Sequence, residues 1–162
     1  IDGFMAFPGL LLAIALAGIL GPGLDNLIIA LVAVGWVGYA RLARAQTLGL
    51  KARLHVRSAW ALGVGEGRIL TRHIAPFLAA PLLVEASFHL AACVVAEAGL
   101  AFLGLGVQPP QASWGSMIRE GARYLLVAPH LALWPGLALL GVTLAVNWIG
   151  DNLRDRLDVR RR

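Results

Sequence analysis

Four side chains able to do chemistry, Glu85, His89, Cys93 and Glu97, recur at every fourth position of an otherwise apolar stretch. On an α-helix that spacing keeps neighbours close to one face, with a drift of about 40° per step. Carboxyls flanking an imidazole could pass protons, and imidazole with a carboxylate could briefly ligate a soft metal such as nickel. An intramembrane enzyme built this way would use Glu85, His89 and Glu97 as acid, base or metal ligands. It would need a second converging set from another segment, and the chain offers only Asn147 and His130, near the ends of theirs. A charged side chain deep in a bilayer costs about 2.5–3.5 kcal/mol on insertion scales, so such groups face a cavity or a partner. The spacing therefore favours Glu85, His89 and Glu97 as the polar lining of a path or as bonded groups inside a bundle. Cys93 fits as a small buried residue.

The elements that must hold these residues are set by composition. The chain has 162 residues, is 59% hydrophobic and only 14% charged, far from the about 25% charged residues of a soluble domain. It reads as a single membrane domain, residues 1–162, with the bilayer as main solvent. The formal charge of +5 would suit nucleic acid if spread over one surface, but the basic residues are clustered. Arg41, Arg44, Lys51, Arg53, Arg57, Arg68 and Arg72 fall in one central connection, and Arg154, Arg156, Arg160, Arg161 and Arg162 at the carboxyl end. Such clusters mark cytoplasmic flanks of membrane spans, which excludes a nucleic-acid module and places both connections on one side.

Hydropathy then predicts an all-α bundle with four spans. The first covers Phe4 to Leu20 and stops at Gly21-Pro22-Gly23. Asp25 or Asn26 is expected to cap a second, apolar from Leu27 to Tyr39 and ending among Arg41 and Arg44. Residues 46–75 follow as a cytoplasmic connection of two short helices around Gly63 and Gly65, with Val56, Ala59, Trp60 and Gly63 on one stripe. The third span opens at Pro76 and reaches Leu105. Ser113 caps a short interfacial helix bearing Trp114, Met117, Ile118 and Tyr124, and the last span runs from Pro129 to Ile149, leaving at Gly150-Asp151. Two spans separate the basic clusters, so both termini are expected to be cytoplasmic.

Three motifs carry a resemblance. Arg57-Ser58-Ala59-Trp60-Ala61-Leu62-Gly63, followed by Ile69 and by His73-Ile74-Ala75-Pro76, resembles the cytoplasmic Glu-Ala-Ala loop of ABC importer permeases. Arg57 stands where that loop carries an acid and Ser58 where it carries alanine. Glu97 to Pro110 with Ser113-Trp114-Gly115, and Gly150 to Asp155, look like the dipeptide, oligopeptide and nickel importers of the same superfamily. The resemblance covers nearly the whole chain. It implies a type I permease fold of which four of six spans are present, in a bacterial inner membrane. It implies a second, similar permease subunit as heterodimer partner, two cytoplasmic ATPase subunits and an extracytoplasmic substrate-binding protein. Arg57, Ser58, Ala59, Trp60, Gly63, Ile69 and Pro76 would then form the ATPase-coupling loop, while Gly104, Gly106, Pro109, Pro110 and Trp114 would shape the periplasmic turn. The chain has no Gly-x-x-x-x-Gly-Lys-Ser/Thr loop, so ATP is expected to be hydrolysed by the partners. No cofactor or metal is expected on this chain.

Overall fold

The computed structural model describes residues 7–157. Among them the regular elements are all helical: α1 (Gly9–Leu20), α2 (Leu24–Lys51), α3 (Leu54–Ala61), α4 (Glu66–Arg68), a π-helical segment (Ile69–Ile74), α5 (Ala75–Phe102), α6 (Trp114–Ala122) and α7 (His130–Leu157). Three apolar runs are long enough to cross a bilayer: α2 with 28 residues, the continuous run Glu66–Phe102 with 37, and α7 with 28. At 1.5 Å per residue even the shorter ones exceed the roughly 30 Å hydrocarbon core, so they reach past it or tilt.

The first expected span is represented by α1, only 12 residues long, and residues 4–6 lie outside those described. Its junction with α2 differs from the cap predicted. Gly23 precedes α2 without any side-chain cap. Instead the Asn26 amide turns back and donates to the carbonyls of Leu20 (2.8 Å) and Gly21 (3.2 Å), satisfying acceptors left open at the end of α1. The hairpin is closed through the first helix rather than the second. Ala17, Leu27, Ala30 and Leu100 bury together behind it, flanked by Ile14, Leu16, Leu31 and Leu105.

Both basic boundaries move outward. The helix of the second span does not finish among Arg41 and Arg44 but continues to Lys51, and the helix of the last runs on past Gly150-Asp151 to Leu157. Loss of hydrophobicity marks where a helix leaves the bilayer, whereas a helix ends only where a breaker intervenes. Pro76 likewise does not open a new helix. It has no N–H and its ring crowds the carbonyl four residues back, and the turn just before it widens so that the Ala75 N–H reaches the Leu70 carbonyl, five residues away. A π segment is the usual way a helix absorbs such a mismatch. One helical run therefore carries the basic connection straight into the apolar α5.

Close approach between helices relies on small residues, as expected where lipid supplies no hydrophobic contrast. Ala91, Ala98 and Ala101 are the buried small positions of α5, and Gly150 of α7 lies against Ser87 and Phe88. Only 6–11% of the apolar windows of the three long helices is buried within the chain. Their remaining apolar surface is suited to lipid and to neighbouring subunits.

Candidate functional site

The basic connection, residues 46–75, is a packed unit. Leu50 at the end of α2, Val56 and Ala59 of α3, and Ile69 and Ile74 of the π segment form one buried cluster, with Val64 and Leu78 against it. Ala59 must be small because it faces this cluster, and Ile69 fills the space beneath it. Gly63 has a different reason. Its φ is +75°, and two hydrogen bonds surround it: Gly63 N–H to the Trp60 carbonyl (3.0 Å) and Val64 N–H to the Ala59 carbonyl (3.1 Å). This is the Schellman stop, completed by Val64 packing back on the cluster of Ala59. The small-small-glycine pattern thus encodes a short helix that lies on its own core and ends abruptly.

The predicted stripe is corrected in one respect. Val56 and Ala59 face inward, but Trp60 is 66% exposed. With Arg57 and Ser58 it forms the outer face of α3. A residue's step of about 100° around the helix carries position 60 away from position 59. Pro76, also exposed, follows the π segment below.

The polar face of α5 separates into two places. Glu85 and His89 look toward α2, where glycines make room. A methyl group added at Gly38 would lie 3.5 Å from a Glu85 oxygen, and one at Gly35 would lie 2.8 Å from the His89 ring. Tyr39 meets the His89 ring edge-on at 5.2 Å, and Cys93 Sγ lies 3.4 Å from His89 Nδ1. His89 and Cys93 line a cavity of about 710 Å³ that extends to Thr143 and Asn147 of α7. Glu97 stands roughly 12 Å further along the helix from His89, at 1.5 Å per residue, beside Ser113. Glu85, His89 and Glu97 do not converge, and among the described residues no three His, Cys, Asp or Glu side chains are placed to hold a metal ion. Gly35, Gly38 and Tyr39 are site residues that the sequence reading does not assign; two small residues in one span are the available signal.

At the far end of α5 the chain repeats the glycine stop. Gly104 has φ +87°, its N–H bonds the Ala101 carbonyl and the Leu105 N–H bonds the Leu100 carbonyl, each at 2.9 Å. Here the turn is covered: the Arg119 guanidinium lies over Gly104, and Gln108 donates to the carbonyls of Gly104 (3.2 Å) and Gly106 (2.9 Å). Ser113 caps α6 as expected, with Ser116 returning the bond in a reciprocal box. Gly115 sits on the Ala98 carbonyl, and Gly121 against Leu131 and Ala132, so α6 is clamped between α5 and α7. Pro109, Pro110 and Trp114 remain on the surface.

Comparison with known proteins agrees with this architecture. Residues 1–162 match the family described as binding-protein-dependent transport system inner membrane component. The chain is 42% identical over 157 residues to the glutathione transport system permease protein GsiD of Escherichia coli O1:K1 / APEC, and equally to that of Shigella flexneri serotype 5b. Those alignments cover 97% of this chain and 52% of each relative, so the chain spans about half the length of the curated relatives it matches. Its helical membrane architecture, its motifs and these matches place the chain in the binding-protein-dependent transport inner-membrane component family, the type I permeases of ABC importers.

Proposed function

We propose that the protein is the membrane-spanning subunit of an ATP-driven importer of short peptides, and that residues 46–75 couple it to a cytoplasmic ATPase. The observation that supports this best is the construction of that connection. Its outer face, Arg57, Ser58 and Trp60, is exposed, while its inner face is packed on the ends of α2 and the Glu66–Phe102 run. A push on α3 would thus act on two membrane helices through a packed contact rather than a slack loop. Glu85, His89 and Glu97 would line or support the path, which opens to alternate sides as the ATPases close and part.

By family, the assembly would include a second permease, two ATPase subunits and a substrate-binding protein, in a bacterial inner membrane with both ends of this stretch cytoplasmic. Gly104, Gly106, Pro109, Pro110 and Trp114 would face the binding protein. The chain would bind no nucleotide or other cofactor, and the partners would hydrolyse ATP. The curated relatives are named for glutathione transport, and a small thiol peptide is accordingly the cargo we favour over nickel.

The test is uptake into proteoliposomes holding the full-length protein, its cognate partner permease and ATPases, and its binding protein. ATP-dependent accumulation of labelled glutathione or a dipeptide supports the reading. Accumulation of nickel without peptide would overturn the cargo, and no ATP-dependent uptake of either would overturn the transport reading.

A further inference from the structure

We infer that the coupling connection is a cationic plug for an acidic groove on the ATPase, with charge inverted relative to the acid-bearing loop that the motif resembles; this rests on the coupling reading above. Between Lys51 and Ala75 the chain carries five basic residues, Lys51, Arg53, Arg57, Arg68 and Arg72, against one acid, Glu66. All six are exposed. Lys51, Arg57 and Trp60 border a concavity of about 510 Å³ floored by the apolar side chains of Val56, Ile69 and Ile74, with Glu66 on its rim. A carboxylate from a partner could enter between the two cations with its aliphatic stem on that floor and its flank on the indole.

Anionic lipid could also attract these charges, but the height of the loop argues against it. Trp36 and Tyr39 are the last aromatic residues of α2, and Arg41 and Arg44 follow directly, the pattern of a helix crossing the headgroup level. The helix then continues to Lys51, roughly 15 Å beyond Arg41 at 1.5 Å per residue, whereas the headgroup layer is only about 5–8 Å thick on each side. The turn in which α3 sits is carried past the lipid charges to where a protein partner docks. Charge repulsion would also reject an ATPase whose groove is basic, which gives the pairing specificity as well as attraction.

The experiment measures the affinity of the cognate ATPase for the full-length permease in nanodiscs, made with zwitterionic lipid alone or with added anionic lipid. Wild type is compared with Arg57→Lys, Arg57→Gln and Arg57→Glu, each checked for insertion and helicity. In zwitterionic discs we expect Lys to stay within about 3-fold of wild type, Gln to bind about 10-fold more weakly and Glu about 100-fold, an effect that high salt reduces. Equal affinity across all four permeases, with wild type bound, overturns the acidic groove and leaves the coupling reading standing. A loss seen only in anionic discs assigns Arg57 to lipid and overturns it equally. Failure of wild type to bind at all removes the coupling reading, and the inference with it.

Discussion

The two glycine stops, Gly63 in the basic connection and Gly104 at the other end of the helical run that follows it, use one backbone device in opposite surroundings. Both have positive φ and the same pair of hydrogen bonds. Around Gly63 nothing lies within 4 Å of where a Cβ would stand, whereas at Gly104 that Cβ would meet Arg119 Nη1 at 2.6 Å. Local sequence chemistry therefore ends a helix, and what packs over the stop decides what the turn can do. The Gly104 turn is sealed by its own chain, and the Gly63 turn is left open.

Substitutions can sharpen this contrast, measured as unfolding free energy of the full-length protein in detergent micelles. The largest effect is expected at Gly115, which underpins the sealed side: a Gly115→Val side chain meets the Ala98 backbone carbonyl and Ala101, and should cost about 3 kcal/mol or unseat α6. Next is Gly104→Ala, about 2 kcal/mol, from left-handed backbone strain plus displacement of Arg119. Adding Arg119→Ala should recover part of that loss, and a purely additive double mutant would break the assignment of Arg119 as the cover. Gly63→Ala should cost about 1 kcal/mol from backbone strain alone. Smallest is Trp60→Ala, within about 0.5 kcal/mol, as for an exposed side chain. If Trp60→Ala destabilised the fold as much as Gly104→Ala, the outer face of α3 would be core rather than free for the docking proposed.

Much of this was legible in the residues. Membrane residence follows from composition and the cap of α6 from Ser113, because each depends on local chemistry. Helix ends were less legible. Arg44 and Gly150 mark changes of solvent, which a helix passes without breaking, and Pro76 looked like a start because the widened turn that absorbs it has no signature in spacing alone. The polar face was found by periodicity, but periodicity gave only one side of it. Its counterparts, Gly35, Gly38 and Tyr39, come from α2, and the neighbour of Glu97, Ser113, comes from the cap of α6. Pairing between distant segments is a tertiary property that a single segment does not encode.

The exposed face of α3 is the centre of the account, and a cross-link tests it most directly. Ala59 would be a poor anchor because it is only 6% exposed; Ser58 is exposed on the outer face, and Ser58→Cys changes little in size. In full-length protein with Cys93→Ala, assembled with its cognate ATPase, Ser58→Cys should cross-link to a cysteine in the ATPase groove with an efficiency that changes when ATP is added. Absence of any cross-link from Ser58, in a complex that is inserted and assembled, would contradict the claim that this connection is where ATPase movement enters the membrane.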